Sequence, residues 1–159
     1  MIKSSESLGI LGGGQLGRFF TTAAQSMGYS VVVFDPDNKS PAGKIANKHI
    51  CRPYDDLEAL DELKAICSSV TTEFENIPAD TLQYLEKDII VRPSSKAISI
   101  AQNRIKEKDF LGKFGVPVGQ YIVIDSIKSI SNINEERKIF PGILKTAQFG
   151  YDGKGQLHV

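Results

Sequence analysis

Leu8-Gly9-Ile10-Leu11-Gly12-Gly13-Gly14-Gln15-Leu16-Gly17 is the stretch that decides the fold. Its first four residues are an apolar run the length of one buried strand. Gly12 to Gly17 fit G-x-G-x-x-G, the pattern of a tight turn between a strand and a helix. The helix follows: Leu16, Phe19, Phe20, Ala23, Ala24 and Met27 recur at helical spacing, and Gly28 stops it.

Ser30 to Phe34 is a valine-rich buried strand, broken by Asp35-Pro36-Asp37-Asn38. A short helix is expected over Pro41 to Ala46 and a third strand over His49 to Cys51. Leu57, Leu60, Leu63 and Ile66 mark a helix, Val70 to Thr72 a strand, and Pro78 the first turn of a helix reaching about Leu85. Strands alternating with helices predict a doubly wound α/β fold, with a Rossmann-like parallel sheet covered on both faces. Right-handed crossovers would then line up the strand ends carrying Gly12, Asp35 and Glu73 on one sheet edge, where such folds bind ligands.

The texture changes at Arg92-Pro93-Ser94, which suggests a first domain over 1–93 and the start of a second, α+β domain over 94–159. Residues 95–114 read as helical, with a charged helix over Ile105 to Phe114 that ends at Gly115; Tyr121 to Ile124 reads as a strand, and Ser126 to Ile139 as a helix or mixed loop. Ile143 to Thr146 is a strand, and Gln156 to Val159 begins another whose partners are expected outside this chain.

The formal net charge is zero, which disfavours broad electrostatic binding to nucleic acid or an anionic membrane. No signal peptide or membrane span is read from the sequence, so the cytoplasm is the expected location. Cys51 and Cys67 have no metal-ligand spacing, and two buried or half-buried thiols in a reducing compartment are expected.

Three segments carry candidate chemistry. At Gly12 to Gly17 the bare N–H groups of a helix start would attract an anion, and Asp35, about 18 residues beyond Gly17, matches the dinucleotide fingerprint. Tight strand-to-helix packing without a ligand would use the same glycines. In Thr71-Thr72-Glu73-Phe74-Glu75-Asn76 the two carboxylates point to opposite sides of an extended chain, so at most one faces a ligand, while Phe74 points inward. Glu73 would accept from a ligand hydroxyl or amine; the alternative is a solvated loop. In Gly150-Tyr151-Asp152-Gly153-Lys154-Gly155-Gln156, amides freed by glycine could form a concave phosphate nest, with Lys154 and Lys145 adding charge. Such a loop would act as a flexible lid over nucleotide phosphates, or be a plain mobile hairpin.

Taken in order, the motifs resemble a known family. They are Gly9 through Arg18 (GILGGGQLGR), Asp35-Pro36, Ser40-Pro41-Ala42, Thr72 through Asn76 (TEFEN) with Pro78, and Arg92-Pro93-Ser94. Gln102-Asn103-Arg104 with Glu107-Lys108 and Phe110-Leu111, then Ile143 through Thr146 (ILKT) with Gly150 through Gln156 (GYDGKGQ), complete the set. On these the chain resembles the N5-carboxyaminoimidazole ribonucleotide synthases, ATP-grasp ligases of purine biosynthesis. The resemblance implies a carbon–nitrogen ligase that uses ATP and bicarbonate to carboxylate 5-aminoimidazole ribonucleotide and releases ADP and phosphate.

By the same resemblance Arg104, Lys145, Gly150, Tyr151, Asp152, Gly153, Lys154, Gly155 and Gln156 bind ATP. Tyr151, Asp152 and Lys154 also face the reacting groups, although the family often has arginine at the position of Lys154. Gln15, Leu16 and Glu73 contact the ribonucleotide, so the first loop would not bind NAD. Mg²⁺ would bridge the phosphates, with its ligands outside this chain. The full-length protein is expected to be a homodimer. The rival expectations are an NAD(P)-binding Rossmann module and a related ATP-grasp ligase or carboxylase. The family's chain is about twice this long or more, so these 159 residues alone are expected to be inactive. An assay for ATP- and bicarbonate-dependent turnover of the ribonucleotide checks this, and no turnover is expected.

Overall fold

A computed structural model describes residues 6–131, 133, 139–150 and 153–159. The chain divides into two compact units, Met1–Ser99 and Ile100–Val159. The first contains β1 (Ser7–Leu11), α1 (Gln15–Ser26), β2 (Ser30–Phe34), β3 (Lys48–Ile50), α2 (Leu57–Ile66), β4 (Cys67–Thr72), α3 (Ala79–Leu85) and β5 (Ile90–Arg92). After them come α4 (Ser95–Ala101), α5 (Arg104–Lys113), α6 (Ile127–Ser131), β6 (Ile143–Lys145) and β7 (Gln156–His158).

The first unit is a five-stranded sheet in the order β3-β2-β1-β4-β5, with every neighbouring pair parallel. Parallel strands buried on both faces must be apolar on both faces, and β2 shows how. Val31 and Val33 pack with Ile10, Ala24 and Ala42, on the face covered by α1. Val32 and Phe34 pack with Leu60, Leu63, Leu82 and Leu85, on the face covered by α2 and α3. Period-two alternation sends adjacent valines to opposite cores. Gly9 in β1 is required by this packing, since an added Cβ would lie 2.7 Å from Val70 Cγ2 and 3.3 Å from Leu63 Cδ1.

Several expectations change. Pro41 to Ala46 is a run of turns, not a helix. The Ala42 N–H donates to the Gly13 carbonyl (2.9 Å), which ties this segment to the glycine loop, and only separate turn bonds such as Ala46 N to Ala42 O (3.0 Å) lie within it. The short strand β5 was not anticipated, and β4 begins at Cys67, ahead of Val70, because Ser68 and Ser69 mask its start. Residues 95–114 form two helices, the second close to the charged helix expected over Ile105 to Phe114. The chain breaks before Asn103, whose side chain accepts from the Ile105 and Lys106 amides and caps α5.

In the second unit β6 and β7 pair antiparallel, with Lys145 opposite Gln156. The partner of β7 is therefore inside this chain, contrary to expectation. Tyr121 to Ile124 is not a strand, and no strand among the described residues pairs with it. No helix of the described residues is long and apolar enough to cross a membrane.

The thiols also differ from expectation: Cys51 is exposed and only Cys67 is buried, both free. Burial pushes the Cys67 thiol from 9.0 up to about 12, with a small opposing effect of Lys48. The fold thus favours the neutral thiol. This contribution is fully present below about pH 9 and is lost as pH rises toward about 12. Iodoacetamide at pH 8 should label Cys51 rapidly and Cys67 only on unfolding; mass spectrometry of the labelled chain checks this.

Candidate functional site

The parallel register brings four strand ends to one edge of the first unit. Leu11 pairs with Phe34 on one side and Thr72 on the other, and Phe34 pairs with Ile50. The next residues continue the ladder: Gly12 N donates to Phe34 O (3.0 Å), Glu73 N to Leu11 O (3.0 Å) and Asp35 N to Ile50 O (3.2 Å). Gly12, Asp35 and Glu73 therefore meet at the edge, as the crossover rule predicts.

Gly12 adopts φ 101°, and an added Cβ would lie 2.9 Å from Glu73 Cγ. That turn aims the following amides at the neighbouring strand ends. Gly13 N donates to Asp35 Oδ2 at 2.6 Å, and Gly14 N donates to Glu73 Oε1 at 2.7 Å. The start of α1 has no side-chain cap and no acidic residue of its own in the first turn. Carboxylates just past β2 and β4 supply the negative charge that helix N-termini attract. The expected anion site is thus filled by two anions of the chain itself. Asp35 is also committed: Oδ1 accepts from Asp37 N (2.8 Å), and Oδ2 accepts a second bond from the Tyr54 hydroxyl (3.0 Å). An Asp35 held this way already serves three donors of the chain itself, where the dinucleotide fingerprint needs it for a ribose hydroxyl.

Of the residues expected to contact a ribonucleotide, Gln15 and Leu16 are exposed at the start of α1, and Glu73 is half-buried beside Gly14. Glu73 Oε2 has no partner among the described residues and remains able to accept. Phe74 does not point inward. It is exposed, with its ring stacked on Tyr54 at 6.3 Å. Tyr54 lies in the loop after β3 and was missed in the sequence. The one signal was its place just past the third predicted strand, on the same edge as Asp35 and Glu73.

The second unit holds a different site. A cavity of about 550 Å³ is lined by Arg104, Lys108 and Lys145 among apolar residues that include Ile122, Ile124 and Ile143. The residues misread as a strand, Tyr121 to Ile124, form part of its wall. Arg104 opens α5 and is held twice: its amide donates to Ala147 O (2.9 Å) and its Nη2 to Gly150 O (3.2 Å). Lys145, at the end of β6, is exposed.

The glycine loop between β6 and β7 closes on Thr146. Thr146 N donates to Gly155 O (2.9 Å), and an added Cβ at Gly155 would lie 2.6 Å from Thr146 Oγ1. Gly153 and Gly155 have φ of 80° and 69°, backbone that favours glycine. Gly153, Lys154, Gly155 and Gln156 are exposed and Gly150 is half-buried, while Tyr151 and Asp152 lie outside the described residues. Arg104, Lys145 and Gly150 are thus brought together around one cavity and the loop beside it.

The model of the ribonucleotide synthetase preATP-grasp domain matches residues 5–102. The chain is 36% identical over 162 aligned residues to N5-carboxyaminoimidazole ribonucleotide synthase of Brucella melitensis biotype 1, covering 99% of this chain and 43% of that relative. Among solved structures, the ADP complex of purK, an N5-carboxyaminoimidazole ribonucleotide synthetase, superposes with a TM-score of 0.93 at 41% identity, over 100% of this chain and 42% of that one. The Aspergillus clavatus N5-carboxyaminoimidazole synthase in complex with ADP and 5-aminoimidazole ribonucleotide gives 0.83 at 29% identity, over 98% and 41%. The chain spans roughly two fifths of the length of these relatives.

Gly17 provides a test of the loop geometry. An added Cβ there would lie 2.6 Å from the Gly12 carbonyl oxygen, a backbone atom. Alanine gains about 1 kcal/mol in helix propensity, but overpacking against backbone costs about 1–3 kcal/mol. Gly17→Ala should therefore lower stability on balance, read as a reduced urea midpoint with an unchanged m-value.

Proposed function

The chain belongs to the ribonucleotide synthetase preATP-grasp family, and from that premise we propose that it serves an ATP-dependent ligase that carboxylates 5-aminoimidazole ribonucleotide with bicarbonate. Residues 1–93 would be the pre-ATP-grasp domain and 94–159 the beginning of the ATP-grasp domain. The observation that carries this is the cavity of the second unit, where Arg104 and Lys145 stand among apolar side chains. Cationic groups suit phosphates, and an apolar wall suits a base. The similarity to purK in complex with ADP agrees with it.

In this scheme Arg104 and Lys145 offset phosphate charge as the γ-phosphoryl group passes from ATP to a bicarbonate oxygen and ADP departs. Gly150 to Gln156 would cover the phosphates, and Tyr151, Asp152 and Lys154 would act on the reacting groups. The exocyclic amine then attacks the carbon of carboxyphosphate, or of carbon dioxide released from it. With carboxyphosphate the C–O bond to phosphate breaks, and the amine loses a proton. Gln15, Leu16 and the open oxygen of Glu73 hold the ribonucleotide. Mg²⁺ would offset phosphate charge when bound. Among the described residues no three His, Cys, Asp or Glu side chains converge, and the Mg²⁺ ligands are proposed outside this chain. A homodimer in the cytoplasm completes the proposal, and a reducing setting suits two free thiols.

Lys145→Ala in the full-length enzyme should weaken the use of ATP by about 2–3 kcal/mol, the scale of one charge-assisted contact. Unchanged kcat and KM for ATP would count against the assignment. The NAD-binding alternative predicts the opposite titration result. Residues 1–159 should show no tight binding of NAD by calorimetry.

A further inference from the structure

We infer that Tyr54 is a positioning residue that locks the first glycine loop and the acidic loop into one arrangement, through its hydroxyl on Asp35 and its ring on Phe74. It touches both arms of the site. The hydroxyl donates to Asp35 Oδ2 (3.0 Å), the atom that also receives the Gly13 amide (2.6 Å). The ring stacks on Phe74 (6.3 Å, 27°), the residue after Glu73, whose carboxylate receives the Gly14 amide. It also packs on Phe34 (5.6 Å), the residue before Asp35. Tyr54 thus neighbours both carboxylates that face successive amides of one loop.

Its own place is over-determined. The Tyr54 carbonyl accepts from the buried Thr81 hydroxyl of α3 (2.9 Å), which anchors the loop after β3 to the core. Burial, then Asp35, then Glu73 push the phenol far above its usual range. The hydroxyl therefore keeps its proton, and its donor role, at any working pH. A donor that is always present fixes which oxygen of Asp35 faces Gly13, and hence where the Gly13–Gly14 peptide presents its N–H to Glu73. If the functional proposal above holds, Tyr54 orients the free oxygen of Glu73 toward the ribonucleotide without touching the ligand. A tyrosine that merely fills space would need its ring and not its hydroxyl.

Tyr54→Phe separates the two roles, because it removes the hydroxyl and keeps the ring. Amide hydrogen exchange at Gly13 and Gly14, resolved by NMR on the chain, should accelerate about tenfold or more at Gly13, the scale of one hydrogen bond to a charged group. The urea midpoint reports folding separately. In an Asp35→Asn background the same change should have little further effect, since both act through one bond. Unchanged exchange at Gly13 would overturn the proposal, as would full additivity with Asp35→Asn. Should Tyr54→Phe fail to fold, the ring no longer suffices, and Tyr54→His, which restores a donor, must recover both the fold and slow exchange at Gly13 or the proposal fails. In the full-length enzyme, Tyr54→Phe should raise the KM for the ribonucleotide about tenfold and leave that for ATP unchanged. An equal rise in both, or none, overturns the orienting role. If the unmodified enzyme does not use the ribonucleotide at all, the functional proposal fails, while the exchange experiment still decides whether Tyr54 locks the loops.

Discussion

The first unit depends on two hydrogen bonds, from the Gly13 and Gly14 amides to the carboxylates of Asp35 and Glu73. Each joins a charged acceptor to a backbone donor, a class worth about 1.5–3 kcal/mol. They answer a problem created by the fold. A helix that starts directly after a buried strand leaves its first amides unpaired, and α1 has no side-chain cap of its own. Strand ends on either side of β1 provide the acceptors. The same bonds thus finish α1, hold the loop and set the chemistry of the sheet edge.

That arrangement requires the parallel register. If β4 slipped by one residue against β1, Glu73 would leave Gly14 and the faces of β4 would exchange. Val70 of β4 packs in the core with Leu60 and Leu63, and such a slip would put the half-buried Ser69 or Thr71 in its place. Packing energy in that core therefore fixes the position of polar groups at the edge. Gly9 adds to this constraint, because the close approach of Val70 leaves no room for a side chain at that position.

Elements with strong periodicity were legible from the chain alone. Gln15 to Met27 foretold α1, Ser30 to Phe34 matched β2 residue for residue, and strand–helix alternation foretold a doubly wound sheet. The edge position of Asp35 and Glu73 was legible for the same reason. Their partners were not, since Gly14 and Glu73 are 59 residues apart and only the folded register joins them. Tyr54 was hidden because a lone loop tyrosine carries no periodic signal. The three-residue β5 was too short to announce itself. Tyr121 to Ile124 misled in the other direction: an apolar run suits a strand, but here it lines a cavity. Tyr151 and Asp152 lie outside the described residues.

The two glycine-rich loops show why glycine alone does not define a phosphate site. In both, glycine frees backbone amides, and in both positive φ turns the chain sharply, at Gly12 in one and at Gly153 and Gly155 in the other. What differs is the charge of the groups around them. The first loop faces Asp35 and Glu73, which already accept its amides and would repel a phosphate placed there. Such an edge favours a ligand that donates hydrogen bonds, such as an amine or hydroxyl. The second loop adjoins Arg104, whose guanidinium holds Gly150, beside a cavity that Lys108 and Lys145 also line. A phosphate placed there would meet positive charge. One backbone device thus serves opposite electrostatics, and the residues that decide between them lie far from the glycines in sequence.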